Sequence, residues 1–266
     1  MRSIAEEVTD RLDRLEVPFN AHGLDRYGIS KERLSTVGVA FGTLYRSYFS
    51  VKCHGTENVP SRGRAMLVAN HSGGYAVDAS MLAAACFFDL EPPRLAHGMV
   101  ERFMSRIPFV ADWASRVGQF PGLPEHARRL LNDERMLMVF PEGTRGTAKL
   151  YKQRHELVRF GTGFMRLALE TRTPIVPVAI LGGGEAVPTI KNVRWLGKLL
   201  GLPYVPLTPY LLAFPLPANI VIHFGKPLLF EGSGMETDNV IDAHVERVKG
   251  SIRELLTAGA LEYRVR

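Results

Sequence analysis

MLMVFPEGTRGTAKLYKQRHELVRFGTGFMRLALETRTPIVPVAIL, residues 136–181, decides the fold. Met136–Phe140 is an unbroken apolar run of strand length, the pattern of a strand buried on both faces. Glu156–Thr171 reads as a helix, and Ile175–Leu181 as a second buried strand. Outward from this unit the alternation continues. Ser50–His54, Met66–Ala69, Arg94–His97 and Asn219–Phe224 read as strands. Ala76–Phe88, Val100–Val117, Pro124–Leu131 and Thr237–Leu256 read as helices. Alternating strands and helices predict an α/β fold, a mixed and largely parallel sheet flanked by helices. Residues 50–266 form that domain. Residues 1–49 read as an N-terminal helical extension, with an amphipathic helix over 1–17 and a second from Ser30, a good N-cap, to about Tyr48.

The chain has 266 residues, 46% hydrophobic and 23% charged, close to a globular average that excludes collagen, coiled coil and bulk disorder. Cys53 and Cys86 are too few for a disulfide framework and lack metal-ligand spacing, so no metal is expected and no oxidising compartment is demanded. The first residues, MRSIAEEVTDRLDRLE, are charged throughout, unlike a secretory signal. The longest charge-free run, Leu199–Ile222, carries Pro203, Pro206, Pro209, Pro215 and Pro217, so it is no continuous spanning helix. Net charge is +6. Between Arg145 and Arg172 seven Lys/Arg face only Glu156 and Glu170, which suits an anionic partner or, equally, a solvated helix face.

Three segments could carry chemistry. In Val68-Ala69-Asn70-His71-Ser72-Gly73-Gly74-Tyr75-Ala76-Val77-Asp78 an imidazole follows a strand end and a carboxylate follows two glycines. Histidine suits proton transfer near neutral pH, and a carboxylate can fix its tautomer. On one continuous helix the two would be about 10 Å apart along the axis. Pairing therefore needs a turn at Gly73 and Gly74, and otherwise His71 caps the helix and Asp78 is a surface residue. In Phe140-Pro141-Glu142-Gly143-Thr144-Arg145-Gly146 a glycine-containing turn follows a strand, and Arg145 suits phosphate or carboxylate. The alternative is a turn with a surface ion pair. Pro177 inside Ile175–Leu181 lacks a ladder donor, which predicts an edge or a bulge.

In this order and spacing the three segments resemble the glycerolipid acyltransferase family, the superfamily of lysophosphatidic acid and glycerol-3-phosphate acyltransferases. The likeness rests on Asn70-His71 with a following Asp78, on Phe140–Arg145 and on Thr173–Ile180, and covers about residues 50–230. It implies His71 as general base on an acceptor hydroxyl, Asp78 as its partner, and Glu142 and Arg145 as acceptor-binding groups. Gly143 and Thr144 would shape their loop, and Pro177 would line the substrate channel. It implies an acyl-CoA or acyl-carrier-protein donor, no cofactor, a lipid acceptor, no nucleic acid, and a cytoplasmic enzyme peripheral on the membrane face. Two features depart from the family pattern. Six residues separate His71 from Asp78 where four are usual. Val117–Gly122, where the family places a phosphate-binding Arg, contains none. A phosphorylated acceptor is thus one reading and a neutral acylglycerol or other alcohol another. A non-catalytic lipid-binding module and a thioesterase are the remaining alternatives. The uncharged part of helix 30–48 and the Trp195–Pro217 segment are the candidate membrane-facing surfaces.

Overall fold

The computed structural model describes residues 2–73, 76–100, 110–210 and 214–264. Nine strands appear among them. These are β1 (Lys52–His54), β2 (Ala65–Ala69), β3 (Ala96–Val100), β4 (Phe120–Pro121), β5 (Met136–Val139), β6 (Ile175–Leu181), β7 (Lys191–Val193), β8 (Val205–Leu207) and β9 (Val221–Phe224). Seven form one sheet in the order β1-β9-β6-β2-β5-β3-β4, while β7 and β8 form a separate antiparallel pair. β2 is central and runs parallel to β5 on one side and β6 on the other. β9 pairs antiparallel with β6 and parallel with β1. The sheet is mixed and largely parallel, and the continuous apolar runs have their predicted place: every residue of β2 and β6 is buried.

The helices are α1 (Ile4–Asp13), α2 (Lys31–Thr43), α3 (Val77–Phe88), α4 (Val110–Arg116), α5 (Pro124–Asn132), α6 (Thr144–Thr147), α7 (Gly163–Glu170), α8 (Gly183–Ala186), α9 (Arg194–Leu199) and α10 (Asp238–Arg264). α2 runs on through one π-helical turn, Leu44–Tyr48. Its apolar side chains Val37, Val39, Phe41 and Leu44 are partly buried and pack against the core. Arg11 of α1 donates to the carbonyls of Phe87 and Leu90 and pairs with Glu91, fastening the N-terminal helices to the end of α3.

Two helix boundaries differ from the sequence reading. The expected helix 156–171 begins only at Gly163. Upstream, the Val158 amide donates to the Glu142 carboxylate and the Gly161 amide to the Pro141 carbonyl, so the backbone bonds across to another loop instead of to itself. The C-terminal helix continues past Leu256 to Arg264, because it covers β6 and Gly259 lets it lie against His223. Of the helix expected over Val100–Val117, residues 101–109 lie outside the described residues, and α4 forms its end.

Pro177 is not on an edge. It sits inside β6, buried between β2 and the β9 strand. The bulge lies on the neighbouring chain. Ile175 pairs with Leu228 and Val178 with Phe224, so four steps of one chain face three of the other at the proline. The Gly225 amide donates to the Pro177 carbonyl at 2.8 Å.

His97 of β3 is fully enclosed. Its Nδ1 donates to the Gly118 carbonyl at 2.9 Å. Burial pushes its pKa down from 6.5 to about 4, assisted by Arg135 and Arg94 and opposed by the Gly118 bond and Asp25. Between those values the unfolded chain binds more protons than the folded one. This contribution is therefore intact above pH 6.5 and is lost as pH falls toward 4. Thermal unfolding followed by circular dichroism from pH 7 to pH 4.5 should show a falling midpoint, with a shallower fall in His97→Gln.

Candidate active site

The candidate groups gather where β2 and β5, neighbours in the sheet, end. β2 ends at Ala69, but its pairing continues through a side chain. The Asn70 amide donates to the Ile180 carbonyl at 2.9 Å and accepts the Ile180 amide at 2.7 Å, replacing one step of the β2–β6 ladder. The main chain is then released to turn, and His71 follows.

His71 and Asp78 meet. Nδ1 lies 2.8 Å from Asp78 Oδ2, a bond in which the ring nitrogen donates to the carboxylate. This tautomer leaves Nε2 as the basic nitrogen. Asp78 has no exposed surface and accepts two further bonds, from the Ser72 amide at 2.7 Å and the Ala79 amide at 2.8 Å. Its place in the first turn of α3 adds the favourable end of the helix dipole.

The longer spacing between the pair is absorbed by backbone turns. Gly73 has φ +76°, and a Cβ there would fall on the Gly183 carbonyl oxygen, so only glycine fits this approach of two loops. Ala76, the N-cap of α3, is also left-handed, at φ 52°. This is a sparsely populated conformation for a residue with a Cβ. Of the expected glycine turn, Gly74 lies outside the described residues, as does Tyr75.

Glu142 is drawn inside. Its carboxylate accepts the His71 amide at 2.9 Å and the Val158 amide at 3.1 Å, and pairs with Lys149 Nζ at 2.8 Å. Lys149 also donates to the Glu156 carbonyl at 2.6 Å. The Glu142 and Lys149 side chains are 0% and 2% exposed. Glu142 thus braces the backbone under the imidazole, and its charge is already met from within. Gly143 takes φ 54°, ψ −145°, a conformation suited to glycine, and delivers Thr144 and Arg145 into α6. Gly146 brings α6 against the site, since a Cβ there would lie 2.7 Å from His71 Cβ. The Phe140 ring packs 4.4 Å from the imidazole, centroid to centroid. Arg145 stands exposed on α6, reaching the Arg159 carbonyl at 3.3 Å.

The basic run 145–172 does not act as one patch. Lys149 is consumed by Glu142, Arg154 pairs with Glu185, and Arg166 pairs with Asp238. Lys149 and Gly146 were not singled out from sequence, because a lysine among seven cations gives no sign that it alone is buried. In the Val117–Gly122 stretch Gln119 bridges β3. Its Oε1 accepts the Gly98 amide and its Nε2 donates to the Ala96 carbonyl, so no cation is offered there.

The sequence model of the acyltransferase family matches residues 50–181, about half of the chain and the part that holds every group just described. The chain belongs to the acyltransferase family. An uncharacterized protein of Mycobacterium tuberculosis is 37% identical over 191 residues, which are 69% of this chain and 53% of that protein. The chain thus spans about half the length of such mycobacterial relatives. A chicken protein named DGAT1/2-independent enzyme synthesizing storage lipids is 24% identical over 79% of this acyltransferase-family chain and 60% of its own. The crystal structure of the 1-acyl-sn-glycerophosphate acyltransferase PlsC from Thermotoga maritima superposes with a TM-score of 0.55 at 18% identity. That match covers 84% of this chain and 82% of the other, a likeness of fold.

Breaking the enclosed ion pair of this family member should cost far more than a surface pair. Glu142→Gln leaves the Lys149 ammonium uncompensated, an expected loss of about 3–5 kcal/mol. The double variant Glu142→Gln/Lys149→Met should recover part of it. Urea unfolding of the three proteins measures both effects.

Proposed function

We propose that this chain is an O-acyltransferase that moves a fatty acyl group from an acyl-CoA or acyl-carrier-protein thioester to the hydroxyl of a glycerolipid. The observation that carries the reading is the 2.8 Å bond between His71 Nδ1 and the enclosed Asp78 carboxylate, which leaves Nε2 ready to accept a proton.

The chemistry needs little else. A thioester is already activated, so the acceptor hydroxyl requires deprotonation and alignment. His71 Nε2 takes the hydroxyl proton as the oxygen attacks the thioester carbonyl. Asp78 holds the imidazolium that forms. The tetrahedral intermediate then breaks its carbon–sulfur bond, and the departing thiolate takes the proton back from His71. No covalent acyl-enzyme, metal or cofactor enters this sequence. Glu142 serves as a positioning residue through the His71 amide. Arg145, exposed beside it, binds an anionic group of donor or acceptor. Pro177, buried within β6, shapes that strand and offers no side chain to a substrate.

Two acceptor classes fit, and Gln119 favours the uncharged one. Its side chain is tied to β3 at the place where a phosphate-binding arginine would be expected. The storage-lipid name of the chicken relative supports the same reading, and the name of the Thermotoga neighbour supports lysophosphatidate. Both acceptors are amphiphiles that reside in bilayers, which places the working enzyme peripherally on a membrane face.

Purified protein given acyl-CoA and dispersed lysophosphatidate, monoacylglycerol or diacylglycerol should form an esterified product detectable by mass spectrometry, with the neutral acceptors preferred. His71→Ala should lower the rate by about 10²–10⁴-fold with an unchanged circular dichroism spectrum. A folded, fully active His71→Ala protein refutes the mechanism. Free thiol released at the same rate without any acceptor would instead mark a thioesterase.

A further inference from the structure

Between Glu185 and Glu231 the chain contains no acidic residue. Within this stretch the β7–α9–β8 excursion stands apart from the main sheet and carries apolar bulk outward. Trp195 is 71% exposed and Leu199 75%, with Leu200 and the preceding Ile190 each more than half exposed. Scattered exposed apolar residues are ordinary, but a concentration of this size on one excursion marks a contact surface. On α9, Trp195 and Leu199 are four residues apart and share a face. Arg194 and Lys198, also four apart, form the adjoining stripe, and Lys191 precedes them on β7. An apolar face edged by cations, with an exposed tryptophan, has the chemistry of a helix lying in the headgroup region of an anionic bilayer.

The excursion is fastened to the candidate active site. Asn192 Nδ2 donates to the Ala148 carbonyl at 2.6 Å, and the Tyr204 hydroxyl donates to Thr147 Oγ1 at 2.6 Å. Both acceptors belong to the short segment that presents Gly146 to His71. The excursion is therefore moored to the segment that abuts the imidazole.

We infer that the β7–α9–β8 excursion is the membrane-docking surface of this protein, seating Trp195, Leu199 and Leu200 among the lipids of an anionic bilayer. A second copy of this chain fits less well, because a two-fold contact through this face would bring together two cationic patches with no acidic residue of the same stretch to offset them. The need for such a surface rests on the acyltransferase reading, while the docking itself does not.

Trp113 and Trp195 are the two tryptophans, so Trp113→Phe leaves Trp195 as sole reporter. With vesicles of phosphatidylglycerol and phosphatidylcholine, Trp195 emission should shift to the blue, and brominated acyl chains should quench it. Replacing Lys191, Arg194 or Lys198 by Gln should weaken binding about five-fold each, as about 1 kcal/mol per surface cation implies. Leu199→Asp/Leu200→Asp should abolish co-sedimentation while turning over detergent-dispersed acceptor at the parent rate. The inference is overturned if that double variant still binds vesicles, or if Trp195 stays unquenched while the protein sediments with them. It is equally overturned if the parent is a dimer that the double variant dissolves. His71→Ala should dock like the parent. A protein that docks but transfers nothing refutes the catalytic reading alone, and one that transfers acyl groups without docking refutes this surface alone.

Discussion

One enclosed carboxylate holds three loops together. Glu142 leaves the end of β5, receives the amide of His71 from the end of β2, and receives both the Val158 amide and the Lys149 ammonium from the stretch that follows α6. Each contact crosses from one element to another. The position of the imidazole is thereby set by the strands of the sheet rather than by the loop it sits on. On the proposed reading such support matters, because an activated acyl donor would leave the alignment of the base as the protein's main task. Asp78 completes the arrangement from the other side, with its own charge met by two amides and a helix terminus.

The sheet was legible in the sequence because burial on both faces writes itself as unbroken apolar runs. Met136–Val139 and Ile175–Leu181 stand where those runs stand. Elements defined by contacts instead of composition were not legible. β4 is only Phe120–Pro121, and β7 and β8 are three-residue strands in a proline-rich stretch without alternation. Helix α7 began late because Val158 and Gly161 spend their amides on the Glu142 loop, a partner 16 to 20 residues away that no local pattern reveals. At the site, sequence supplied His71, Asp78 and Glu142 and could not supply their distances. The pairing of His71 with Asp78 depends on Gly73 and on a left-handed Ala76, and alanine carries no signal for that conformation. Lys149 looked like one of many cations, and its burial is a tertiary fact.

Family membership and the Thermotoga neighbour agree on the scaffold. The individual features lie in the loops around it. Gln119 is spent on the backbone of β3, and the acid-free excursion after β6 is moored to the very segment that abuts His71. Within one scaffold, loop features of this kind can differ while the sheet that holds the imidazole and its partner stays in place.

Sealing an ammonium and a carboxylate away from water also removes the middle ground between a formed and an unformed crevice. Parting Lys149 from Glu142 by a small distance would strand two charges in a dry interior, so a partly loosened arrangement has no means of support. The walls of the site therefore behave as a latch, shut or sprung, and heat or denaturant should leave the arrangement around His71 either whole or entirely lost.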